Sequence, residues 1–114
     1  MKTDFFFKNI TVPVQIQETI VDKCSKLTKV ASQEAWIECN IEGGRPNNQV
    51  SVSIKCIEPE KYWIADGLAE NVLTATDESV ESLFQEIRRD KEKHLKKDRD
   101  QARKAKNQIK NIEE

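Results

Sequence analysis

The chain has 114 residues, 34% charged and 37% apolar, enough for one domain with one modest core. Residues 1–83 hold 8 Lys/Arg against 13 Asp/Glu, whereas residues 84–114 hold 11 against 7, so a net charge near zero hides a basic C-terminal quarter. No apolar run approaches a membrane span. Asp4 and Lys8 bracket too short an apolar stretch for a secretory signal, and Cys24, Cys39 and Cys56 are odd in number and lack paired spacing, against a disulfide framework.

Asp4 to Asn9, with Phe5, Phe6 and Phe7, reads as a short strand, and Pro13 marks the connection out of it. From about Gln17 the pattern is helical. Ile16, Ile20, Cys24, Leu27 and Ala31 share a stripe, and Lys23, Lys26 and Lys29 follow in steps of three along its flank. Ala35 to Glu42 alternates, with Ile37, Cys39 and Ile41 to one face and Trp36, Glu38, Asn40 and Glu42 to the other. Gln49 to Ile57 alternates in the same way, with Val50, Val52, Ile54 and Cys56 inward, and Gly43 to Asn48 joins the two as a hairpin loop. Polar outer faces on adjacent strands predict a sheet covered on one side only.

Between Glu58 and Gly67 the signals conflict. Pro59 bends or breaks the strand, Tyr62 to Ile64 looks extended, and Asp66-Gly67 is a hairpin turn signal. Either the third strand resumes after a bend or a flap is inserted. Leu68 to Thr76 then reads as the last strand, and Asp77 as the cap of a long helix with Glu78 and Glu81 in its first turn.

That helix changes character along its length. Val80, Leu83, Phe84 and Ile87 form an apolar stripe, but the same face next carries Lys91, His94 and Asp98, which are unsuited to a core. The opposite face carries Arg89, Lys93, Lys96, Arg103 and Lys104. A docked helix that continues as a basic rod suits an extended polyanion. A solvated helix held by pairs such as Glu92 with Lys96 and Asp100 with Lys104 is the plainer alternative.

The pattern predicts an α+β fold in β-α-β-β-β-α order, with two helices on one face of a four-stranded sheet and a long projecting C-terminal helix. Residues 1–97 form the expected domain and 98–114 a charged helical extension or tail. The three cysteines read as reduced core residues. His94 is the only histidine, and no nucleophile, metal spacing or nucleotide loop accompanies it, so neither an enzyme nor a cofactor, metal or small-molecule ligand is expected.

The element order and the helix residues together resemble the ribosome hibernation promoting factor family, which includes the ribosome-associated inhibitor type. Val14 to Leu27, with its Lys23-Cys24-Ser25-Lys26-Leu27 run, is similar to the family's first helix. Leu73 to Val80 is similar to its last strand running into an acidic helix start, and Ile87 to Lys97 to its second helix. The resemblance implies a cytoplasmic, non-enzymatic inhibitor that binds the small ribosomal subunit over its tRNA and mRNA sites in stress or stationary phase. It implies ribosomal RNA contacts at Lys23, Lys26, Arg88, Arg89, Lys96 and Lys97, to which the helical faces add Lys29, Lys93 and Arg103. Gln17 stands where a Thr or Ser cap is usual, and the Glu58–Gly67 stretch is longer than the family's tight turn. With no second domain in the sequence, a short-type member, monomeric off the ribosome, is expected.

Two alternatives compete. Double-stranded-RNA-binding domains share the helix–three strands–helix order, but lack the first strand and begin the last helix with a basic cluster rather than Asp77-Glu78. A helix-mediated protein interaction could use Ala102, Ala105, Ile109 and Ile112, but Lys91, His94 and Asp98 interrupt any heptad.

Overall fold

The computed structural model describes residues 2–113, with side chains described as far as Lys93. Strand β1 (Lys2–Lys8) leads into helix α1 (Val14–Cys24), which continues as a 3-10 turn (Ser25–Lys29). Strand β2 (Trp36–Arg45) passes through a second 3-10 turn (Pro46–Asn48) into β3 (Gln49–Ile57). Strand β4 (Tyr62–Ala69) follows, then helix α2 (Val72–Glu113). The sheet order is β1-β2-β3-β4, with β1 parallel to β2 and the other pairs antiparallel. The expected α+β architecture is therefore present. The parallel β1–β2 pair follows from α1, which returns the chain to the starting end of the sheet.

One sheet face is apolar and covered. Ile37, Cys39 and Ile41 of β2, Val52, Ile54 and Cys56 of β3 and Trp63 of β4 are buried against Ile20, Cys24 and Leu27 on one side and Ala75, Val80, Leu83 and Ile87 of α2 on the other. Each of these isoleucines and leucines contributes about 1.5–3 kcal/mol by leaving water. Helix α2 lies over β3 and β4, with α1 along its side.

Several boundaries differ from the sequence reading. The segment after Pro59 is neither a bent continuation nor a flap. Glu58 to Lys61 is a short connection closed by the Glu58 amide on the Lys61 carbonyl at 2.8 Å, and β4 then pairs in unbroken register from Ile57↔Tyr62 to Val50↔Ala69. Asp66-Gly67 is thus mid-strand. Gly67 is needed for close approach: a Cβ there would collide with the Ala75 carbonyl oxygen of α2. The last strand accordingly ends at Ala69, not Thr76, and α2 begins at Val72 rather than after Asp77. Its cap is Asn71, whose Oδ1 accepts the Thr74 amide at 2.8 Å. Leu73 to Thr76 is helical, with Ala75 and Thr76 buried and Thr76 Oγ1 donating to the Val72 carbonyl. Glu78, displaced from the first turn, accepts the Leu68 amide at 3.1 Å.

Helix α1 starts at Val14, directly after Pro13, so Gln17 lies inside it. The Gln17 side chain reaches back to the Val12 carbonyl at 3.0 Å. Strand β2 runs past Glu42 to Arg45 through a register shift, and Asn47 and Asn48 adopt positive φ (64° and 57°) in the turn to β3.

Candidate nucleic-acid interface

The candidate cations sit on elements anchored by their immediate neighbours. Lys23 precedes buried Cys24, Lys26 precedes buried Leu27, and Arg88 and Arg89 follow buried Ile87. The stripe that docks each helix therefore leaves these charges at its border.

Lys23, Lys26 and Lys29 line a groove between the first helical segment and α2, faced by Asp77, Val80 and Glu81. Two of the three lysines are paired across it. Lys23 Nζ lies 2.7 Å from Asp77 Oδ1, and Lys26 Nζ 2.5 Å from Glu81 Oε2 and 4.9 Å from the centre of the Phe84 ring. The Lys26 hydrogen bond, then one from Gln85 and the Lys26 charge, hold the Glu81 carboxyl below its ordinary range. Lys29 is exposed and makes no ion pair among the described residues.

On α2, successive residues turn by 100°. Arg88, four beyond Phe84 and seven beyond Glu81, thus follows the α1 side. Its Nε pairs with Glu92 Oε1 at 3.1 Å. Arg89 and Lys93 follow Gln85 and Glu86 along the other flank, where they line an open concavity. Both are exposed and unpaired among the described residues. The structure therefore divides the candidates. Lys23, Lys26 and Lys29 line the groove, Arg88 lies further along α2 on the same side, Arg89 and Lys93 border the far flank, and the side chains of Lys96, Lys97 and Arg103, like those of His94, Asp98 and Lys104, lie outside the described residues.

A second basic cluster was not legible in the sequence. Lys91 was expected clear of the core, yet it is half-buried, with Nζ 2.7 Å from Glu58 Oε2. Glu58 also accepts the Ser32 amide at 2.6 Å. Burial alone would raise the Glu58 pKa, but the Lys91 and Ser32 hydrogen bonds and the charges of Lys91 and Lys61 outweigh it, and the carboxyl is held below its ordinary range. Beside it, Asp90 accepts from Lys61 Nζ at 2.6 Å and from Trp63 Nε1 at 2.9 Å. Both lysines sit over the Trp63 ring, 4.9 and 5.6 Å from its centre. The one available signal was Lys91 itself, four residues after Ile87 on the docking face, where a long side chain can bury its stem and keep its charge outside.

Among the described residues no reactive groups are gathered. The three cysteines are buried and free, and burial pushes Cys24 and Cys39 up to about 12 and Cys56 to about 11, far from thiolate chemistry at neutral pH. Among the described residues no three metal-ligating side chains converge, and no helix is long and apolar enough to cross a membrane.

Residues 4–95 match the family described as Sigma 54 modulation protein / S30EA ribosomal protein. No curated protein sequence matches the chain. Among solved structures, the fold is similar to the N-terminal domain of Protein Y from Thermus thermophilus, at 14% identity and a TM-score of 0.68, over 78% of this chain and 98% of that one. It is also similar to a ribosomal subunit interface protein from Coxiella burnetii, at 13% identity and a TM-score of 0.66, over 80% and 98% of the two chains.

Proposed function

The chain belongs to the Sigma 54 modulation protein / S30EA ribosomal protein family, a family of non-enzymatic ribosome-binding translation inhibitors, and from that premise we propose that it occupies the tRNA and mRNA sites of the small ribosomal subunit during stress or stationary phase. The likeness to a ribosomal subunit interface protein from Coxiella burnetii supports this reading. The working partner is ribosomal RNA in the cytoplasm, and the protein is a monomer off the ribosome. Residues 1–97 act as the binding domain, and 98–114 extend it along the path of the message.

The observation that carries the reading is the set of cations on two core-anchored helical segments. A plug in an irregular, phosphate-lined cleft needs spaced positive charges on rigid supports rather than base-reading side chains. Lys29, Arg89 and Lys93 offer free charges. Lys23 and Lys26 reach phosphates by exchanging carboxylate partners, and the exposed Lys23–Asp77 pair is worth only about 0–1 kcal/mol, so the exchange costs little. Lys96, Lys97 and Arg103 continue the basic line along α2 in sequence.

Co-sedimentation with purified ribosomes tests the proposal. Raising salt from about 0.05 to about 0.5 M should release the protein steeply, because each neutralised phosphate adds about 0.7–0.9 to the logarithmic salt slope. Lys23→Glu with Lys26→Glu, and separately Arg89→Glu with Lys93→Glu, should each weaken binding by at least about tenfold while circular dichroism stays unchanged. Binding indifferent to salt and to both pairs would refute the RNA-contact assignment.

A further inference from the structure

The sheet face turned away from the helices is uncovered, and its side chains fall into register rows. Lys2, Trp36, Ile57 and Tyr62 form one row, and Asp4, Glu38, Lys55 and Ile64 the next. Five of the eight exposed large apolar side chains among the described residues lie on this face: Phe6, Trp36, Tyr62, Ile64 and Leu68. Tyr62 is 60% exposed and Ile64 47%, two large apolar side chains in succession along the outer face of β4, with the buried Trp63 between them on the core side.

The same face carries four carboxylates, Asp4, Glu38, Glu42 and Asp66, against three lysines, Lys2, Lys8 and Lys55, yet none of the four carboxylates has an ion pair or hydrogen bond among the described residues. Asp4 stands opposite Glu38, a like-charge pairing that destabilises a sheet. Lys55, the cross-strand neighbour that could neutralise Glu38, instead places its Nζ 4.2 Å from the centre of the Tyr62 ring. The aromatic surface thus already accepts an ammonium, while the neighbouring carboxylates go without a cation.

We propose that this outer sheet face docks a lysine- and arginine-rich protein segment of the ribosome. Its side-chain stems would pack on Trp36, Tyr62 and Ile64, and its cations would meet Glu38, Asp4 and the ring faces. The proposal rests on the ribosome-binding reading and divides the molecule into a helical side for RNA and a sheet side for protein. Exposed rings on a four-stranded sheet also suit base stacking, but unpaired carboxylates between the rings repel a phosphate backbone. Charge complementarity therefore selects a cationic peptide.

The test places the photo-crosslinker p-benzoylphenylalanine at Tyr62 in the full-length protein, bound to purified ribosomes, and identifies the product by mass spectrometry. Circular dichroism checks the fold. The expected product is a peptide from a basic segment of a ribosomal protein. It should be lost, and ribosome affinity should fall about tenfold, when Asp4→Lys and Glu38→Lys are added. A crosslink to RNA overturns the proposal in favour of a stacking platform, and a crosslink to a second copy overturns it in favour of self-association. Co-sedimentation without any crosslink shows the face to be open in the complex and also overturns it, leaving the ribosome-binding reading intact. Failure to co-sediment with an unmodified Tyr62 overturns both.

Discussion

Two pairs of lysines in this molecule meet carboxylates of α2 or of the loop beside it, and they do different work. Lys23 and Lys26 pair with Asp77 and Glu81 across an open groove, where the carboxylate side chains are 60% and 55% exposed. Lys91 pairs with a Glu58 whose side chain is only 13% exposed, and with Lys61 it covers the Trp63 ring. Water and salt compete freely for the first pair and poorly for the second. The first set is exchangeable and suits a ligand of phosphates. The second ties the β3–β4 connection and the Ser32 loop to the last docked turn of α2, so it holds the fold. Identical residue types thus divide into exchangeable and structural pairs by the exposure of their partners.

The largest effect should come from the structural side. Trp63→Ala removes a buried ring and the hydrogen-bonded lid beneath both lysines, and should cost about 3–5 kcal/mol in urea unfolding, a large share of a small domain's stability. A loss below about 1 kcal/mol would mean that the cluster is an ornament of the surface.

Glu58→Ala comes next. It leaves the Ser32 amide and the half-buried Lys91 without their acceptor, at a cost of about 1–3 kcal/mol at neutral pH. The pH dependence has a defined sign. The Glu58 carboxyl is held below its ordinary value in the fold, so its stabilisation is complete above the unfolded-state pKa and is lost as pH falls through the folded value. Wild type and Glu58→Ala should therefore converge in stability under acid. Parallel curves down to the acid limit would show that the charge of Glu58 is not what stabilises the cluster.

The smallest structural effect belongs to the exchangeable side. Asp77→Asn with Glu81→Gln should leave the melting temperature nearly unchanged and strengthen ribosome binding a few-fold at low salt, with the gain vanishing at high salt. Weaker binding would mean instead that these carboxylates orient Lys23 and Lys26 for their phosphates.

Much of this was legible in the sequence, at particular places. The period-two alternation of Ile37, Cys39 and Ile41 and of Val52, Ile54 and Cys56 identified β2, β3 and the covered face, because a half-buried strand must alternate. Val80, Leu83 and Ile87 identified the docked face of α2, and all three are buried. Family membership was legible too, in the order of elements and the residues on both helices. The start of α2 was not. Asp66-Gly67 carries a strong local turn signal and Asp77, with Glu78 and Glu81 after it, a strong local cap signal, and both were overridden by contacts distant in sequence.

Local patterns determined which residues are apolar, with which period, and hence the element types and the one-sided sheet. Only the tertiary structure decided where β4 ends, because Gly67 is required by the Ala75 carbonyl pressing on it from α2, a contact that no local pattern encodes. Only the tertiary structure decided which charges are free. Lys23 meets Asp77 54 residues away, Lys26 meets Glu81 55 away and Lys91 meets Glu58 33 away, so the sequence shows the supply of charge but not its pairing. The reason is physical: periodicity is a property of one segment, whereas the partner and the exposure of a charge are properties of the packed whole.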